Sequence, residues 1–353
     1  MNLDRRLAAP LALAASLVSG SALACTPEDF SGCAGRPWVD GTVMDTPLGS
    51  KWWPHPIWGA GDEAGSTNWY TKPEVVKRAL AEVKQGKIMK IGYNYEAKMP
   101  LFGSRAFVLR IPGAPTGGPF GPNRLVYYDD FLAAEIGQTG TQFDGLGHIG
   151  VAVGKAGDKD NLRFYNGITV QEMHDSNGLR KLGAEKLHPI MARGILIDVA
   201  NAKGVESLEK GYEITVADVN QALAKQGMAG FQFMPGDAVV FRTGWSKYWI
   251  KDNATYNGGA PGVGMEVARW LAETVKAGVW GADTWPTEVV PNKDPGCVFC
   301  VHTYMLTRHG IVNHENLNLD GISKAKVYRF MYTYTPSPVT GATGSHGSPT
   351  ATW

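Results

Sequence analysis

The residues best suited to chemistry lie in one glycine-rich stretch, Gln138-Thr-Gly-Thr-Gln-Phe-Asp-Gly-Leu-Gly-His148. Gln138, Gln142 and Asp144 offer oxygen ligands, and His148 offers an imidazole that can bind a metal or carry a proton. Because glycine favours turns, we expect these side chains to be displayed at a loop rather than packed inside the protein. The stretch therefore predicts a metal site or a site of general acid–base catalysis.

A second set of polar residues lies much later in the chain. His302 and Glu315 bracket a short predicted helical stretch, 303–308, and Asp283 ends a predicted strand. The ends of strands are where α/β proteins usually place their chemistry. Asp283 either orients a histidine or only caps a loop, and His309 and His314 are predicted to be surface residues.

Strands and helices alternate in the part of the chain that must position these residues. Apolar runs predict strands at 87–95, 194–200, 237–243, 279–283 and 327–334, and cap residues and periodic apolar positions predict helices at 71–86, 215–225 and 265–276. A long irregular loop is predicted at 111–122. No repeat or linker divides the chain, so we expect a single α/β domain.

The two ends of the chain are predicted to lie outside this domain. Arg5 and Arg6, an apolar run over 7–18 and Ala22-Leu23-Ala24 before Cys25 are typical of an export signal at 1–24. This predicts a periplasmic or secreted protein, with twin-arginine export and lipidation at Cys25 left open. The domain would then span 25–335, and the segment 336–353, rich in proline, glycine, serine and threonine, is predicted to be a surface tail.

The overall composition excludes several classes of protein. With 34 Lys and Arg against 33 Asp and Glu, the chain is almost neutral, and it has no basic cluster for nucleic acid or an anionic membrane surface. The 44 glycines and 21 prolines favour a protein with many shaped loops over a helical bundle.

The sequence contains four cysteines, which allow three disulfide pairings. In an oxidising compartment the local pairs Cys25–Cys33 and Cys297–Cys300 are the simplest. The spacing of Cys297 and Cys300 is also that of a redox motif or half of a zinc site. A structural disulfide is the favoured interpretation.

The polar stretch resembles the signature of the cyclase family, which reads His-x-Gly-Thr-His-x-Asp-x-Pro-x-His. The sequence keeps Gly140-Thr141, Asp144 and His148, and it has Gln138, Gln142 and Leu146 where the family has His, His and Pro. Further blocks resemble the family over most of the chain: Trp58-Gly-x-Gly-Asp-Glu-x-Gly65 with Asn68, Tyr165-Asn-Gly167, Arg193-Gly-Ile-Leu-Ile-Asp198, Pro235-Gly-Asp-Ala-Val-Val-Phe-Arg-Thr-Gly-Trp245, Gly281-Ala-Asp283, and the run from His302 to Glu315-Asn-Leu317. The chain is identified as a Gln-substituted member of this family.

The resemblance implies a fold and a set of residue roles. The family includes kynurenine formamidase and isatin hydrolase, and its fold is a barrel-like mixed sheet flanked by helices, of the swivelling β/β/α type. Its metal ligands map to the positions Gln138, Gln142, Asp144 and Glu315. His148 corresponds to the general base, and His302 to a histidine that binds the metal or handles protons.

We therefore expect a hydrolase that cleaves a C–N or C–O bond of a small carbonyl compound, such as an aryl formamide, a cyclic amide or a lactone, and that forms a homodimer or a larger oligomer. Amide oxygens in place of imidazoles favour Mn²⁺ or Mg²⁺ over Zn²⁺. Two alternatives stay open: a silent small-molecule binding protein that has lost the metal, and a metal-free hydrolase that uses Asp144 and His148.

Overall fold

The structure is a computed structural model that describes residues 45–46, 48–50, 52–153 and 162–353. The predicted export signal at 1–24 and the predicted Cys25–Cys33 disulfide lie outside these residues. Of the helices in the described ranges, none combines the length and the apolar character that crossing a membrane requires.

The chain alternates short strands with short helices. The strands are β1 Asp45–Thr46, β2 Gly49–Ser50, β3 Ile88–Lys90, β4 Phe107–Arg110, β5 Gly117–Phe120, β6 Leu125–Tyr127, β7 Phe131–Ala134, β8 Gln142–Asp144, β9 Val151–Ala152, β10 Leu162–Arg163, β11 Ile190–Asp198, β12 Glu213–Ile214, β13 Ala238–Arg242, β14 Gly262–Val263, β15 Val279–Ala282, β16 Val312–His314, β17 Arg329–Tyr334, β18 Gly344–His346 and β19 Thr350–Thr352. The α-helices are α1 Pro73–Leu80, α2 Val170–Met173, α3 Val199–Lys203, α4 Val216–Lys225, α5 Asn253–Asn257, α6 Met265–Arg269, α7 Cys300–His302 and α8 Asp320–Lys324. Two π-helical turns, Trp270–Val275 and Thr303–Arg308, continue α6 and α7.

A nine-stranded mixed sheet organises the domain, in the order β18-β8-β16-β15-β13-β11-β17-β19-β3. The four central strands β16, β15, β13 and β11 run parallel, and the outer strands pair antiparallel. This arrangement confirms the predicted α/β fold with a mixed sheet flanked by helices.

Both faces of the sheet are covered by apolar side chains. On β11, Ile195 and Ile197 lie in one core cluster and Leu196 lies in the other, as the alternation of side chains along a strand requires. A strand that is buried on both faces reads as a continuous apolar run, and for that reason the sequence identified β11 and β13.

The helix predictions are of mixed accuracy. At α4, the Thr215 hydroxyl accepts a hydrogen bond from the Asp218 backbone N–H, and the Asp218 carboxylate accepts one from the Thr215 N–H, which confirms the predicted cap. The helix predicted from Thr71 to Gly86 is shorter: it spans Pro73–Leu80, and its N-cap Lys72 makes no capping bond through its side chain. Thr71 instead ends a preceding 3-10 segment.

The prediction that 336–353 forms a surface tail is wrong. β18 pairs with β8, and β19 lies between β17 and β3, so this segment contributes two strands to the main sheet. The composition of this segment was misleading because β18 and β19 are only three residues long and are surrounded by turn residues. The prediction of a long irregular loop at 111–122 is also incomplete, since this segment contains β5.

Cys297 and Cys300 form a disulfide at the start of α7, as predicted. We expect thiol titration of the unreduced, denatured protein to give close to zero thiols per chain, because Cys25 and Cys33 should pair as well. Protein reduced before titration should give four. The Cys25→Ser, Cys33→Ser double variant should still give none, and two free thiols in that variant would contradict the Cys297–Cys300 bond.

Candidate active site

The candidate site is built on one face of β8 and the strand beside it. Gln142 and Asp144 point to the same face because they are two residues apart, while Phe143 points into the apolar core. β16 pairs antiparallel with β8 and places Asn313 opposite Asp144. Glu315 follows Asn313 by two residues, and its backbone N–H donates to the Gln142 carbonyl at 2.9 Å. Two neighbouring strands thus bring four polar side chains together.

The site is buried, which corrects the prediction that its residues are displayed at a turn. Gln138, Gln142 and Asp144 are only 8%, 4% and 1% exposed. The glycines do make the turn, since Gly140 has a positive φ of 63°. However, the residues after it enter β8, which lies between β16 and β18. His148, beyond the strand, is partly exposed.

His302 joins this face from α7 and is held by two carboxylates. Its Nδ1 bonds to Glu288, whose carboxylate also accepts the His302 backbone N–H at 2.9 Å. Its Nε2 lies 3.0 Å from Glu315 Oε1 and 3.7 Å from Asp144 Oδ2. Burial alone would lower the pKa of His302, but the bonds to Glu288 and Glu315 outweigh it and raise the pKa well above its usual value.

Asn313 links the two acidic residues that face each other. Its amide donates to Asp144 Oδ2 at 3.1 Å and to Glu315 Oε1 at 2.8 Å. The Thr287 hydroxyl in turn donates to Asn313 Oδ1 at 2.9 Å, which fixes the orientation of the amide. Asn313 therefore positions both carboxylates.

Sequence reasoning missed Asn313 and Glu288. Asn313 had a usable signal, because it stands two residues before Glu315 in an extended segment and so shares its face. Glu288 had none, since it lies in no predicted element or family block. The fold alone brings it to His302.

The two glutamines differ in their surroundings. The Gln142 amide donates to Glu315 Oε2 at 2.6 Å, and its Oε1 lies 3.4 Å from Arg105 Nη1. Gln138 lies at the end of a 3-10 turn, and neither of its amide atoms has a hydrogen-bond partner among the described residues. The structure thus brings Gln142 into the cluster and leaves the buried amide of Gln138 unsatisfied beside it in the chain.

His148 stands at the open side of the cluster. Its Nε2 lies 4.0 Å from Asp144 Oδ1, too far for a hydrogen bond, and Oδ1 has no hydrogen-bond partner within the described ranges. Burial lowers the pKa of His148, and the charge of Asp144 only partly offsets this. The ring is therefore neutral near pH 7, the form that can accept a proton.

The donor set fits a divalent cation. Asp144, His302 and Glu315 are buried, and each offers a ligand atom within 4.8 Å of the others. Burial and the nearby charge of Asp144 raise the pKa of Glu315 to about 7, so this pocket contains more negative charge than its surroundings stabilise. The Glu288–His302 pair also matches the carboxylate–histidine arrangement that orients metal-binding imidazoles. Asp144 Oδ1, which has no hydrogen-bond partner among the residues that the structure describes, is available as a ligand atom in such a site.

We expect Glu288→Gln to weaken Mn²⁺ binding by about 10–100-fold, because a neutral amide orients and charges the His302 ring less well than a carboxylate. Calorimetric titration of Mn²⁺ measures this effect. Glu273→Gln is the matched control. Glu273 accepts a hydrogen bond from the hydroxyl of Tyr304, which lies two residues after His302 in the same helical segment. Equal affinity in wild type and Glu288→Gln would show that Glu288 has no positioning role.

The structure also places the other singled-out residues. Asp283 accepts hydrogen bonds from the backbone N–H groups of Thr243 and Gly244, both at 2.8 Å, which favours the loop-capping interpretation. Burial raises its pKa to about 6. The prediction of a surface residue is wrong for His314, which is fully buried on the core face of β16. His309 is partly exposed. Burial lowers the pKa of each histidine to about 3.

Comparison with known proteins agrees with this architecture. The model of the Cyclase family matches residues 67–289, more than half of the chain. A crystal structure described as a novel cyclase is 28% identical, with a TM-score of 0.71 over 84% of this chain and 96% of that one. Isatin hydrolase A from Ralstonia solanacearum is 19% identical, with a TM-score of 0.55 over 80% and 98% of the two chains. Isatin hydrolase A from Labrenzia aggregata, bound to benzyl benzoate, is 17% identical, with a TM-score of 0.52 over 78% and 98%.

At 19% and 17% identity, the two isatin hydrolases show a shared fold only. The family match, in contrast, is a match of the amino-acid sequence. No curated protein sequence matches the chain. The resemblance first seen in the Asp144–His148 region is confirmed by the family match, which includes that region. The chain belongs to the Cyclase family.

Proposed function

We propose that this protein is an exported, metal-dependent hydrolase that cleaves a C–N or C–O bond of a small carbonyl compound. The observation that carries the proposal is the buried cluster of Asp144, His302 and Glu315, with the neutral His148 ring at its open side. Such a grouping of acidic and imidazole side chains is costly to bury and is typical of functional sites.

Asp144 and Glu315 would supply the charge that holds a divalent ion, and Gln138 and Gln142 would supply amide oxygens. His302 joins them as a ligand through Nε2 or moves protons at that atom. A site rich in oxygen donors favours Mn²⁺ or Mg²⁺ over Zn²⁺. When bound, the ion polarises a carbonyl and lowers the pKa of water.

His148 is assigned the proton transfers. Its Nε2 accepts a proton from the attacking water as the oxygen bonds to the carbonyl carbon. The same imidazole then returns the proton to the departing nitrogen or oxygen when the C–N or C–O bond breaks. Asp144, 4.0 Å away, stabilises the transient imidazolium by its charge.

The family and the predicted compartment support the choice of substrate class. Isatin is a cyclic amide, and the isatin hydrolases share this fold, so cyclic amides are the first compounds to test. The export signal predicted at 1–24 fits poorly with an intracellular catabolic role. We therefore favour a scavenged or foreign compound as the substrate.

A screen over cyclic amides, formyl anilides, lactones and cyclic imides, with and without added Mn²⁺, tests the proposal. Elemental analysis of the purified protein accompanies it. We expect close to one ion per chain and hydrolysis that is lost after chelation and restored by Mn²⁺.

One observation favours the rival interpretation of a silent binding protein. The Gln142 amide donates a hydrogen bond to Glu315 Oε2 at 2.6 Å, so a neutral side chain gives this carboxylate a partner, and Arg105 adds a positive charge beside it. Protein that contains no metal, hydrolyses none of these compounds and still binds one of them would establish the rival. Activity that persists in chelator would indicate a metal-free hydrolase.

A further inference from the structure

The Cys297–Cys300 disulfide lies beside the polar cluster of the candidate site, and no step of the proposed reaction uses it. Both sulfurs and one carboxylate oxygen of Glu288 lie within 4.8 Å of one another. Cys300 is the first residue of α7, and His302 is the third. The disulfide is thus attached to the short helix that presents His302 to the other polar side chains of the site.

The disulfide shapes the loop that leads into α7. Cys297 belongs to the loop and Cys300 to the helix, so the bond closes a ring that contains only Val298 and Phe299 between them. Phe299 has a positive φ of 52°, a conformation that a residue with a β-carbon keeps only where its surroundings enforce it. Its ring meets the His302 ring edge to face, with the centroids 5.6 Å apart. The disulfide therefore holds one of the aromatic rings against which His302 packs.

Glu288 is the second link between the disulfide and His302. Its carboxylate accepts hydrogen bonds from the backbone N–H groups of Val301 at 3.3 Å and His302 at 2.9 Å, and it also bonds to His302 Nδ1. A disulfide has no hydrogen to donate, whereas two thiols in its place would each carry an S–H donor close to the same carboxylate. Reduction would therefore set the two cysteines in competition with His302 for Glu288.

A reductant meets this bond from the loop side. Val298 is 71% exposed and Cys297 is 6% exposed, whereas Cys300 is fully buried. A dithiol attacks the disulfide through one thiolate and then closes to its own disulfide. The S–S bond of the protein breaks, and two thiols form as the protein takes up two electrons and two protons. Because the interior is closely packed and the unbonded sulfurs must move apart, the displacement falls on the loop and on Phe299.

We propose that the Cys297–Cys300 disulfide positions His302, and that its reduction by a dithiol releases the imidazole and weakens the metal site. The two cysteines are positioning residues, since they act on the site through Glu288 and Phe299. The inference rests on the proposed function where it concerns the ion. The contacts that join the disulfide to His302 do not depend on a metal.

Proton NMR of the chelator-treated protein tests the positioning of His302 without a metal. The Cys25→Ser, Cys33→Ser double variant is used, so that dithiothreitol acts on the Cys297–Cys300 bond alone. An imidazole N–H bonded to a buried carboxylate resonates far downfield, and His302→Gln identifies the signal of His302. We expect this signal to shift or vanish on reduction and to return after reoxidation with glutathione disulfide. When Cys297→Ser and Cys300→Ser are added, dithiothreitol should change nothing.

Calorimetric titration of Mn²⁺ into the oxidised and the reduced protein, with the reductant removed under nitrogen, measures the effect on the metal site. We expect binding about 10–100-fold weaker in the reduced protein, the usual contribution of groups that orient a metal-binding histidine, and an unchanged circular dichroism spectrum.

Three results would overturn the proposal. The first is an unchanged His302 signal in protein that titrates two thiols, and the second is a measurable Mn²⁺ affinity that is equal in both states. The third is loss of the folded spectrum on reduction, which would make the bond a general stabiliser of the fold. If neither state binds Mn²⁺, the metal-dependent function fails, and the His302 signal alone decides whether the disulfide positions the imidazole.

Discussion

Replacing His148 with alanine should lower kcat by about 10²–10⁴-fold, the usual contribution of a positioned general base. His148 is neutral near pH 7 because burial lowers its pKa, and its Nε2 lies 4.0 Å from Asp144 Oδ1. Its backbone N–H bonds to the Gly145 carbonyl, so the turn itself does not depend on the imidazole. We therefore expect the variant to fold normally and to bind substrate with little change in KM.

The matched control is His174→Ala, which removes an exposed histidine outside the cluster. Steady-state kinetics on the best compound from the screen measures kcat and KM for both variants, and calorimetry checks that Mn²⁺ binding is retained in His148→Ala. If His148→Ala keeps most of the wild-type kcat, the base is another group. If it loses Mn²⁺, His148 is a ligand and not the base.

The sequence predicted the long apolar elements of the fold correctly. β11, β13 and β15 are buried on both faces, so their apolar runs are unbroken and fall within one or two residues of the predicted strands, apart from the earlier start of β11. The short strands β8, β18 and β19 were missed, because three residues carry too little periodicity to be distinguished from a turn. They exist because neighbouring strands supply their hydrogen bonds.

The residues of the candidate site were likewise predicted only in part. Gln138, Gln142, Asp144, His302 and Glu315 were singled out by residue type, spacing and family resemblance, and the structure gathers all of them except Gln138 into one bonded cluster. Glu288 and Asn313 complete that cluster but act through other residues. Glu288 comes from a distant part of the chain and leaves no local pattern in the sequence, whereas the spacing of Asn313 to Glu315 could have identified Asn313.

The two glutamines lead to the second prediction of large effect. Gln138→His combined with Gln142→His restores the imidazoles of the family signature, and it should shift metal preference from Mn²⁺ towards Zn²⁺. Imidazole is the better ligand for Zn²⁺. Structural zinc sites bind with ~10–16 kcal/mol over four ligands, so each added imidazole should tighten Zn²⁺ binding by at least ~10-fold.

The single variants separate the two positions. Gln142 already bonds to Glu315, so Gln142→His should act on the cluster directly. The Gln138 amide is buried without a hydrogen-bond partner in the described structure, so Gln138→His shows whether that position reaches the ion at all. Calorimetric titration of Zn²⁺ and Mn²⁺ into each protein gives the preference. Gln85→His with Gln171→His, both exposed, controls for adding histidines to the surface.

Metal binding and activity of the wild-type protein show what Gln138 and Gln142 do. If it binds Mn²⁺ through oxygen donors, the ion should exchange readily, because only Asp144 and Glu315 bring charge to the ligand set. If it binds no divalent ion and still hydrolyses its substrate in chelator, the assignment of Gln138 and Gln142 as ligands is wrong. Their amides would then hold the substrate: the Gln142 amide, anchored between Glu315 and Arg105, would present a fixed donor and acceptor to a carbonyl compound beside His148.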